Sequence, residues 1–393
     1  MTKINSLPFL QVVTDITSKY NKIRNEDYLK EGLYPIIDQG QPFIGGYSNN
    51  TSLIIHSSSS VIVFGDHTKT LKFIDFPFAI GADGVKVFKV DEKYAVARYI
   101  YYFLKTIKLP EAGYSRHFKY LKDVKLPILE SLSDQLHIAN ILTQAENLIA
   151  QRKESIRLLD EFIKSTFLGM FGTPSMNIKR FAKGTIRDVA NEVKYGTSSP
   201  AEDEGHYPYL RMNNITTEGY WDFSKLKYIN IEDKDKEKYV VRKGDLLFNR
   251  TNSKELVGKS GVFNEEAEMI IAGYLIRVRT NEKANPWYLW GYLNSVHGKQ
   301  TLFGMCKSIV GMANINAQEL QSIKILIPPI ALQNQFAQIV EKTESLKTQY
   351  QQSLQELESL YGSLSQRAFK GELRAKDGEM MKAAEAVVKY QNK

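Results

Sequence analysis

From Ile138 to Met170 the chain places Ile138, Leu142, Ala145, Ile149, Arg152, Ile156, Leu159, Ile163, Thr166 and Met170 at alternating spacings of four and three. Ile141, Leu148 and Phe162 widen the stripe along one flank. This spacing predicts a long amphipathic helix with a seam that needs a helical partner. A second stripe runs through Phe336, Val340, Thr343, Lys347, Tyr350, Leu354, Leu357, Tyr361, Leu364 and Ala368, flanked by Ile339, Leu346 and Leu360. It has the same phase and is less apolar. Helices of about 37 residues would be roughly 55 Å long, too long to be buried in one domain. The nearest partner for each stripe is the other, since one chain holds both at high effective concentration. An antiparallel pair is therefore expected, with two separate helical hairpins or a zipper between two chains as the alternatives. Arg152 in the first seam is read as snorkelling along its stem, the other possibility being a pair with a partner's helix.

The two stripes are copies. Sliding Gln135–Phe171 by 198 positions onto Gln333–Phe369 needs no gap and gives ten identities, among them Gln135/Gln333, Ala139/Ala337, Glu146/Glu344, Leu159/Leu357 and Phe171/Phe369. Leu, Ala, Glu and Gln recur in any helix, but the copies also share their ends and follow the same kind of neighbour. A period near 200 is too long for a solenoid. The layout is a first globular unit at 1–126, a helical region at 127–172, a second unit at 173–329 and a second helical region at 330–373. A tail follows at 374–393, with a helical run from Met380 to Tyr390.

Both globular stretches read as mixed α/β. In the first, Ser52 to Phe64 and Val85 to Val90 are strand-like, and Tyr94 to Ile107 is helical with Val96, Tyr99, Ile100, Phe103 and Leu104 inward. In the second, Lys243-Gly244-Asp245 turns into Leu246-Leu247-Phe248, Tyr274 to Val278 is a strand and Trp287 to Val296 a helix. Each unit closes with a strand that proline stops before the long helix, Lys125-Leu126-Pro127 or Ile325-Leu326-Ile327-Pro328-Pro329. The fold class is thus two mixed α/β (α+β) domains in tandem, separated by two long helices in an antiparallel coiled coil, with an internal pseudo-twofold repeat.

Composition is ordinary for a folded protein, with 43% hydrophobic and 24% charged residues. There is no stretch of about 18 apolar residues and no basic-then-apolar leader, so the expected location is the cytoplasm, away from membranes. A lone Cys306 forms no internal disulfide or zinc cluster. The net charge of +8 is unevenly spread: +5 falls in residues 1–126 and +4 in 173–327, against −2 in 127–172. Basic units rich in Tyr and Phe favour a polyanion partner, most simply nucleic acid.

Motifs of catalysis fail on inspection. Gly258-Lys259-Ser260 resembles the end of a phosphate-binding loop, but the glycine needed five residues earlier is Ser253. Asn285-Pro286-Trp287-Tyr288 lacks the second proline of an adenine methyltransferase motif and reads as a helix start. Glu232 to Lys238 reads as a solvated turn, and no two of the six histidines have metal-ligand spacing.

Four segments in order carry a family resemblance: Tyr207-Pro208-Tyr209-Leu210-Arg211-Met212-Asn213-Asn214-Ile215, then Arg242 to Ser253, then Val257-Gly258-Lys259-Ser260, then Ile327-Pro328-Pro329 before Gln333. They resemble the target recognition domain and following helix of Type I restriction-modification specificity subunits. The first half is more divergent, with Tyr34-Pro35-Ile36-Ile37, Gly65-Asp66 and Leu126-Pro127 in corresponding places and no double proline. The resemblance implies a subunit without catalysis of its own. Each domain would read one half of a split, asymmetric site on double-stranded DNA. The helices would set the spacing and dock two methyltransferase subunits, and restriction/translocase subunits would join. S-adenosylmethionine, ATP and Mg are then expected on the partners, with no cofactor or metal on this chain.

Groove edges are matched by Arg or Lys for guanine and Asn or Gln for adenine, with hydroxyls and other basic groups on phosphates. In the second unit the candidates are Lys194, Tyr195, Arg211, Asn213, Asn214, Arg250, Asn252, Lys254, Lys259 and, in the loop from Lys307 to Asn316, Asn314. In the first unit they are Lys22, Gln39, Gln41, Tyr47, Asn49, His67, Lys69 and the loop Tyr114-Ser115-Arg116-His117. The alternative function is a non-enzymatic coiled-coil scaffold whose basic domains bind RNA or protein. A methyltransferase fragment is disfavoured by the missing cofactor motifs.

Overall fold

The computed structural model describes residues 4–56, 59–81, 84–111, 115–309 and 312–373. The expected run at Met380–Tyr390 and the loop residue Tyr114 lie outside them. The two stripes form helices of 40 residues each, Leu132–Phe171 and Ile330–Phe369. Both begin three residues before the repeated glutamine. No helix among the described residues is long and apolar enough to cross a membrane. The chain divides into two compact units, residues up to Ser155 with those from Tyr350 onward, and Ile156–Gln349. Each unit thus holds part of both helices.

The strands of the first unit are β1 (Ile4–Pro8), β2 (Val13–Asp15), β3 (Tyr34–Ile37), β4 (Gly46–Ser48), β5 (Val61–Gly65), β6 (Leu71–Ile74), β7 (Ala79–Ile80), β8 (Val85–Val90) and β9 (Lys125–Leu129). They make an antiparallel β1-β9 pair, a β2-β8-β5-β6 sheet and a β4-β3-β7 sheet in which β3 and β7 run parallel. Every residue of β5 is buried, as its unbroken apolar run requires. The strand expected from Ser52 starts only at Val61, because the Asn50 side chain accepts the Ser52 amide and winds Thr51–Leu53 into a 3-10 turn. Pro127 does not stop its strand; it sits inside β9 opposite Ser6, and the strand continues to Leu129. β9 pairs on one side only, where a missing amide is tolerated.

The second unit contains β10 (Ala182–Thr185), β11 (Ala190–Tyr195), β12 (Tyr207–Leu210), β13 (Lys227–Ile229), β14 (Val240–Val241), β15 (Leu246–Asn249), β16 (Thr251–Asn252), β17 (Ser260–Val262), β18 (Met269–Ile271), β19 (Leu275–Thr280), β20 (Lys307–Ile309), β21 (Met312–Asn314) and β22 (Lys324–Ile327). Its sheets are β10-β22, β11-β19-β15-β17 and β13-β12-β18-β14, with a fourth, β16-β21-β20, that, like the edge strand β14, has no counterpart among the described strands of the first unit. Strand for strand the first three repeat the order of the first unit, down to the parallel step, β12 to β18 here and β3 to β7 there. Tyr34–Ile37 and Tyr207–Leu210 correspond as expected. Gly65-Asp66 does not match Gly244-Asp245, which precedes β15. It ends β5, as Asn249-Arg250 ends β15.

Within each unit the two helices run antiparallel and merge with the domain core. In the first, Ile138, Leu142, Ala145 and Leu148 share one buried cluster with Leu357, Leu364, Ala368 and the core residues Phe9, Phe64 and Phe88. In the second, Phe167 and Phe336 lie 5.4 Å apart, and Phe171 packs edge-on to Tyr288 at 4.8 Å. Phe369, the repeat counterpart of Phe171, packs on Tyr99 at 5.3 Å. Phe167 and Phe171 are buried where a strict seven-residue repeat would bury Thr166 and Met170. A straight helix drifts about 20° per heptad, and the aromatic cluster rewards the drift. Arg152 does not snorkel. It is fully buried, its guanidinium 4.1 Å from the Tyr350 ring centroid.

The repeated glutamine is a clamp. Gln135 is fully buried, donates to the carbonyls of Tyr94 and Leu129 and accepts the Val96 amide. Gln333 does the same with the carbonyls of Lys283 and Pro328 and the Asn285 amide. Each ties the start of a long helix to its closing strand and to the segment leading into the domain's own helix, Ala97–Thr106 or Pro286–Asn294.

A polar cluster interrupts the seam in the second unit. Lys347 Nζ pairs with Asp160 at 2.5 Å and lies 3.7 Å over the Tyr220 ring. Burial, only partly offset by Lys347, pushes the Glu344 carboxyl up to about 7, with Tyr220 and Asp160 also facing it. The folded unit thus keeps a proton that the unfolded chain, with a glutamate near 4.3, has already lost. Stability from this group is full at about pH 4.5 and is lost as pH rises to about 7. Glu344→Gln is expected to flatten that decline in urea midpoints taken across the window; an unchanged slope would place the titration on another group.

Candidate nucleic-acid interface

In the second unit β15 delivers the chain to Arg250, whose amide donates to the Tyr274 carbonyl (3.0 Å) and whose carbonyl accepts the Ile315 amide (2.9 Å). At the next residue the backbone joins β21, Thr251 opposite Asn314 and Asn252 opposite Ala313, and β21 pairs with β20. Residues 250–252 thereby become the edge of a three-stranded ribbon. Arg250 Nε donates to Asn314 Oδ1 at 3.2 Å, and its guanidinium lies 4.8 Å from the centroid of the Tyr195 ring. Tyr195 Oη accepts the Ala317 amide at 2.7 Å. The Thr251 hydroxyl reaches the same Asn314 oxygen at 3.4 Å. Lys254 Nζ stands 4.2 Å over the Phe303 ring. Tyr195, Arg250, Asn252, Lys254 and Asn314, spread over 120 positions of sequence, come together here. Lys194, beside Tyr195, is exposed and paired with Glu192 at 2.5 Å.

The segment 211–215 forms a separate turn after β12. Asn214 is buried; its Oδ1 accepts the Arg211 amide and its Nδ2 donates to the Asp222 carbonyl. Lys259 is likewise buried, its Nζ donating to the carbonyls of Met212 (3.1 Å) and Ile215 (2.5 Å), and burial holds its pKa below the usual lysine range. These two side chains are engaged inside the fold. Arg211 Nη2 donates to the Lys225 carbonyl at 3.2 Å, and Asn213 is exposed.

The first unit builds its turn at the same point. The Asp66 amide donates to Gly84 O, and the Asp66 carbonyl accepts the His117 amide at 2.8 Å, as the Arg250 carbonyl accepts Ile315. By this match Arg116 stands where Asn314 stands, and Asp66 where Arg250 stands. His117 is buried with Nδ1 2.9 Å from the Asp66 carbonyl, inside the fold like Asn214 and Lys259. Gln39 Oε1 accepts the His67 amide (3.3 Å), and its carbonyl accepts the Thr68 and Thr70 hydroxyls. Lys69 takes a left-handed φ of 60° to return its amide to the Gly65 carbonyl. Gln39, His67, Lys69, Ser115 and Arg116 therefore flank one turn, with Gln41 exposed in the adjoining loop, which Lys72 braces through the carbonyls of Asp38 and Pro42. Lys22, Tyr47 and Asn49 belong to the β4-β3-β7 sheet: Lys22 bridges Ile80, Tyr47 lies opposite Pro35 and Asn49 Oδ1 accepts the Leu33 amide.

Thr251 lies in the candidate stretch from Arg250 to Lys254 but is not singled out by the sequence. Its hydroxyl gains meaning only from β21, whose pairing partner lies more than sixty residues on. No cluster of metal-ligating side chains occurs among the described residues.

The model of the Type I restriction modification DNA specificity domain matches residues 178–359. The Type I restriction enzyme EcoKI specificity subunit of Escherichia coli (strain K12) is 26% identical over half of this chain and 44% of its own length. The putative Type I restriction enzyme MjaX specificity subunit of Methanocaldococcus jannaschii is 30% identical over 41% of this chain and 39% of its own. The chain thus spans less than half the length of these two relatives. A longer match, 23% identical over 82% of either protein, is to the Type I restriction enzyme EcoR124I/EcoR124II specificity subunit of Escherichia coli. The crystal structure of a Type-I restriction-modification system S subunit from M. genitalium shares the fold, with a TM-score of 0.62 over 94% of this chain and 96% of that one at 14% identity. Residues 178–359 therefore match a Type I restriction modification DNA specificity domain, and the first unit repeats its strand order.

Proposed function

We propose that this chain is the DNA-reading, non-catalytic subunit of a Type I restriction-modification system, each unit reading one half of a bipartite asymmetric site. One observation carries the reading: two units of matching strand order differ in their side chains at the same turn, a buried Asp66 and an exposed Arg116 in one, a half-buried Arg250 and Asn314 in the other. Equal scaffolds with different polar edges suit an asymmetric target. In the first unit Gln39, His67, Lys69, Ser115 and Arg116 face bases, and Lys22, Gln41, Tyr47 and Asn49 lie along the backbone. In the second, Tyr195, Arg250, Thr251, Asn252, Lys254 and Asn314 face bases, with Lys194, Arg211 and Asn213 toward phosphates. His117, Asn214 and Lys259 shape the turns from within. The domains are those read from the sequence, 1–126 and 173–329, the first extended to the end of β9 at Leu129, with the helical regions setting the spacing of the halves and docking two adenine methyltransferase subunits. Restriction/translocase subunits join them, and S-adenosylmethionine, ATP and Mg bind the partners, in the cytoplasm.

The test is methylome sequencing of cells with and without the gene. A split adenine-methylated motif should vanish on deletion and return on complementation. A motif that persists, or failure to bind duplex DNA with methyltransferase present, would favour a scaffold for RNA or protein.

A further inference from the structure

We propose that Arg250 reads a guanine in the major groove, and that Asn314 and Tyr195 are positioning residues that aim it; this rests on the reading of the chain as a DNA-specificity subunit. Guanine offers O6 and N7 side by side, and arginine meets both when its terminal nitrogens lie in the base plane. A free arginine must first lose the freedom of a long side chain. Arg250 has been relieved of most of that. Its backbone is held on both sides by Tyr274 and Ile315, Nε is tied to Asn314 Oδ1, and one face of the guanidinium is covered by a tyrosine that is itself fixed through the Ala317 amide. Nη1 and Nη2 have no hydrogen-bond partner among the described residues.

Three other arginines of the second unit are paired with carboxylates. Arg242 pairs with Glu237, Arg277 with Glu192 and Arg279 with Asp245. No carboxylate among the described residues is paired with Arg250, so its fork is oriented without being neutralised. The setting also fits: the major groove admits a two-stranded β-ribbon, and Arg250 opens onto the edge of the β16-β21-β20 ribbon.

The experiment scores base preference at every position of the methylated half-site, using the full chain assembled with its methyltransferase and a randomised duplex library. Arg250→Lys keeps the charge and removes the fork. It should lower the preference for guanine at one position by about 5- to 150-fold, the span of one bidentate contact, leaving the remaining positions and the salt dependence of binding as in the parent. Asn314→Ala should weaken the preference at the same position and at no other. An Arg250→Lys protein that methylates with the parent motif overturns the proposal. So does Arg250→Ala weakening all sequences alike with a salt slope smaller by about one, the mark of a phosphate contact. If the parent assembly itself binds no duplex, the underlying functional reading is what has failed.

Discussion

Replacing residues 4–130 with the matching segment of a relative of different specificity is expected to change one half of the methylated motif and leave the other half intact. The cut is chosen by the fold. A boundary at 126, as read from the sequence, would split β9 and break its register with β1, which runs from Ile4 opposite Leu129 to Pro8 opposite Lys125. Gln135 grips the incoming unit only through main-chain atoms, the carbonyls of Tyr94 and Leu129 and the amide of Val96, so the clamp accepts any unit with the same backbone there. The side chains that must be kept are those sharing the helix core, above all Tyr99 under Phe369 and Leu126 beside the Ile138–Leu142 turn. A folded hybrid that alters both half-sites would show that the two units do not read independently.

Gln333→Ala is expected to destabilise the second unit by about 3–5 kcal/mol. The substitution strands an amide and two carbonyls, each an unmade buried hydrogen bond costing about 1–3 kcal/mol, with some recovery through water. Gln333→Glu should be no rescue at neutral pH. A carboxylate accepts the Asn285 amide but then sets its other oxygen against the carbonyls of Lys283 and Pro328, where the amide had two protons to donate. Hydrogen exchange gives the reading: the Asn285 amide should lose protection while the Val96 amide, held by Gln135, keeps its own. Equal loss at both would mean that the clamps are one cooperative structure.

Long elements were legible because their signal repeats. Forty residues give eleven turns of the stripe, enough to show each helix and its copy. The sheets were not legible in the same way. β4 and β7 have three and two residues, too few to display a period of two, and the partner of Ile36 is Ala79. The misplaced strand at Ser52 turned on one Asn50 hydrogen bond. At the candidate interface residue type alone does not separate buried braces from exposed side chains: Asn214 and Asn213, or Lys259 and Lys194, are the same chemistry, and only burial distinguishes them. Arg152 was misread for the related reason that its partner, Tyr350, lies in the other copy.

Arg152 and Tyr350 are 198 positions apart, the same offset as the repeat, so each meets its own counterpart across the helix pair. The pairing is tolerant in one direction only. Two copies of the second helix would bring tyrosine onto tyrosine, an ordinary aromatic contact, whereas two copies of the first would set one buried guanidinium against another. A half-length product carrying the second unit and its helix therefore meets a compatible twin in itself at this position, while one carrying the first meets like charge.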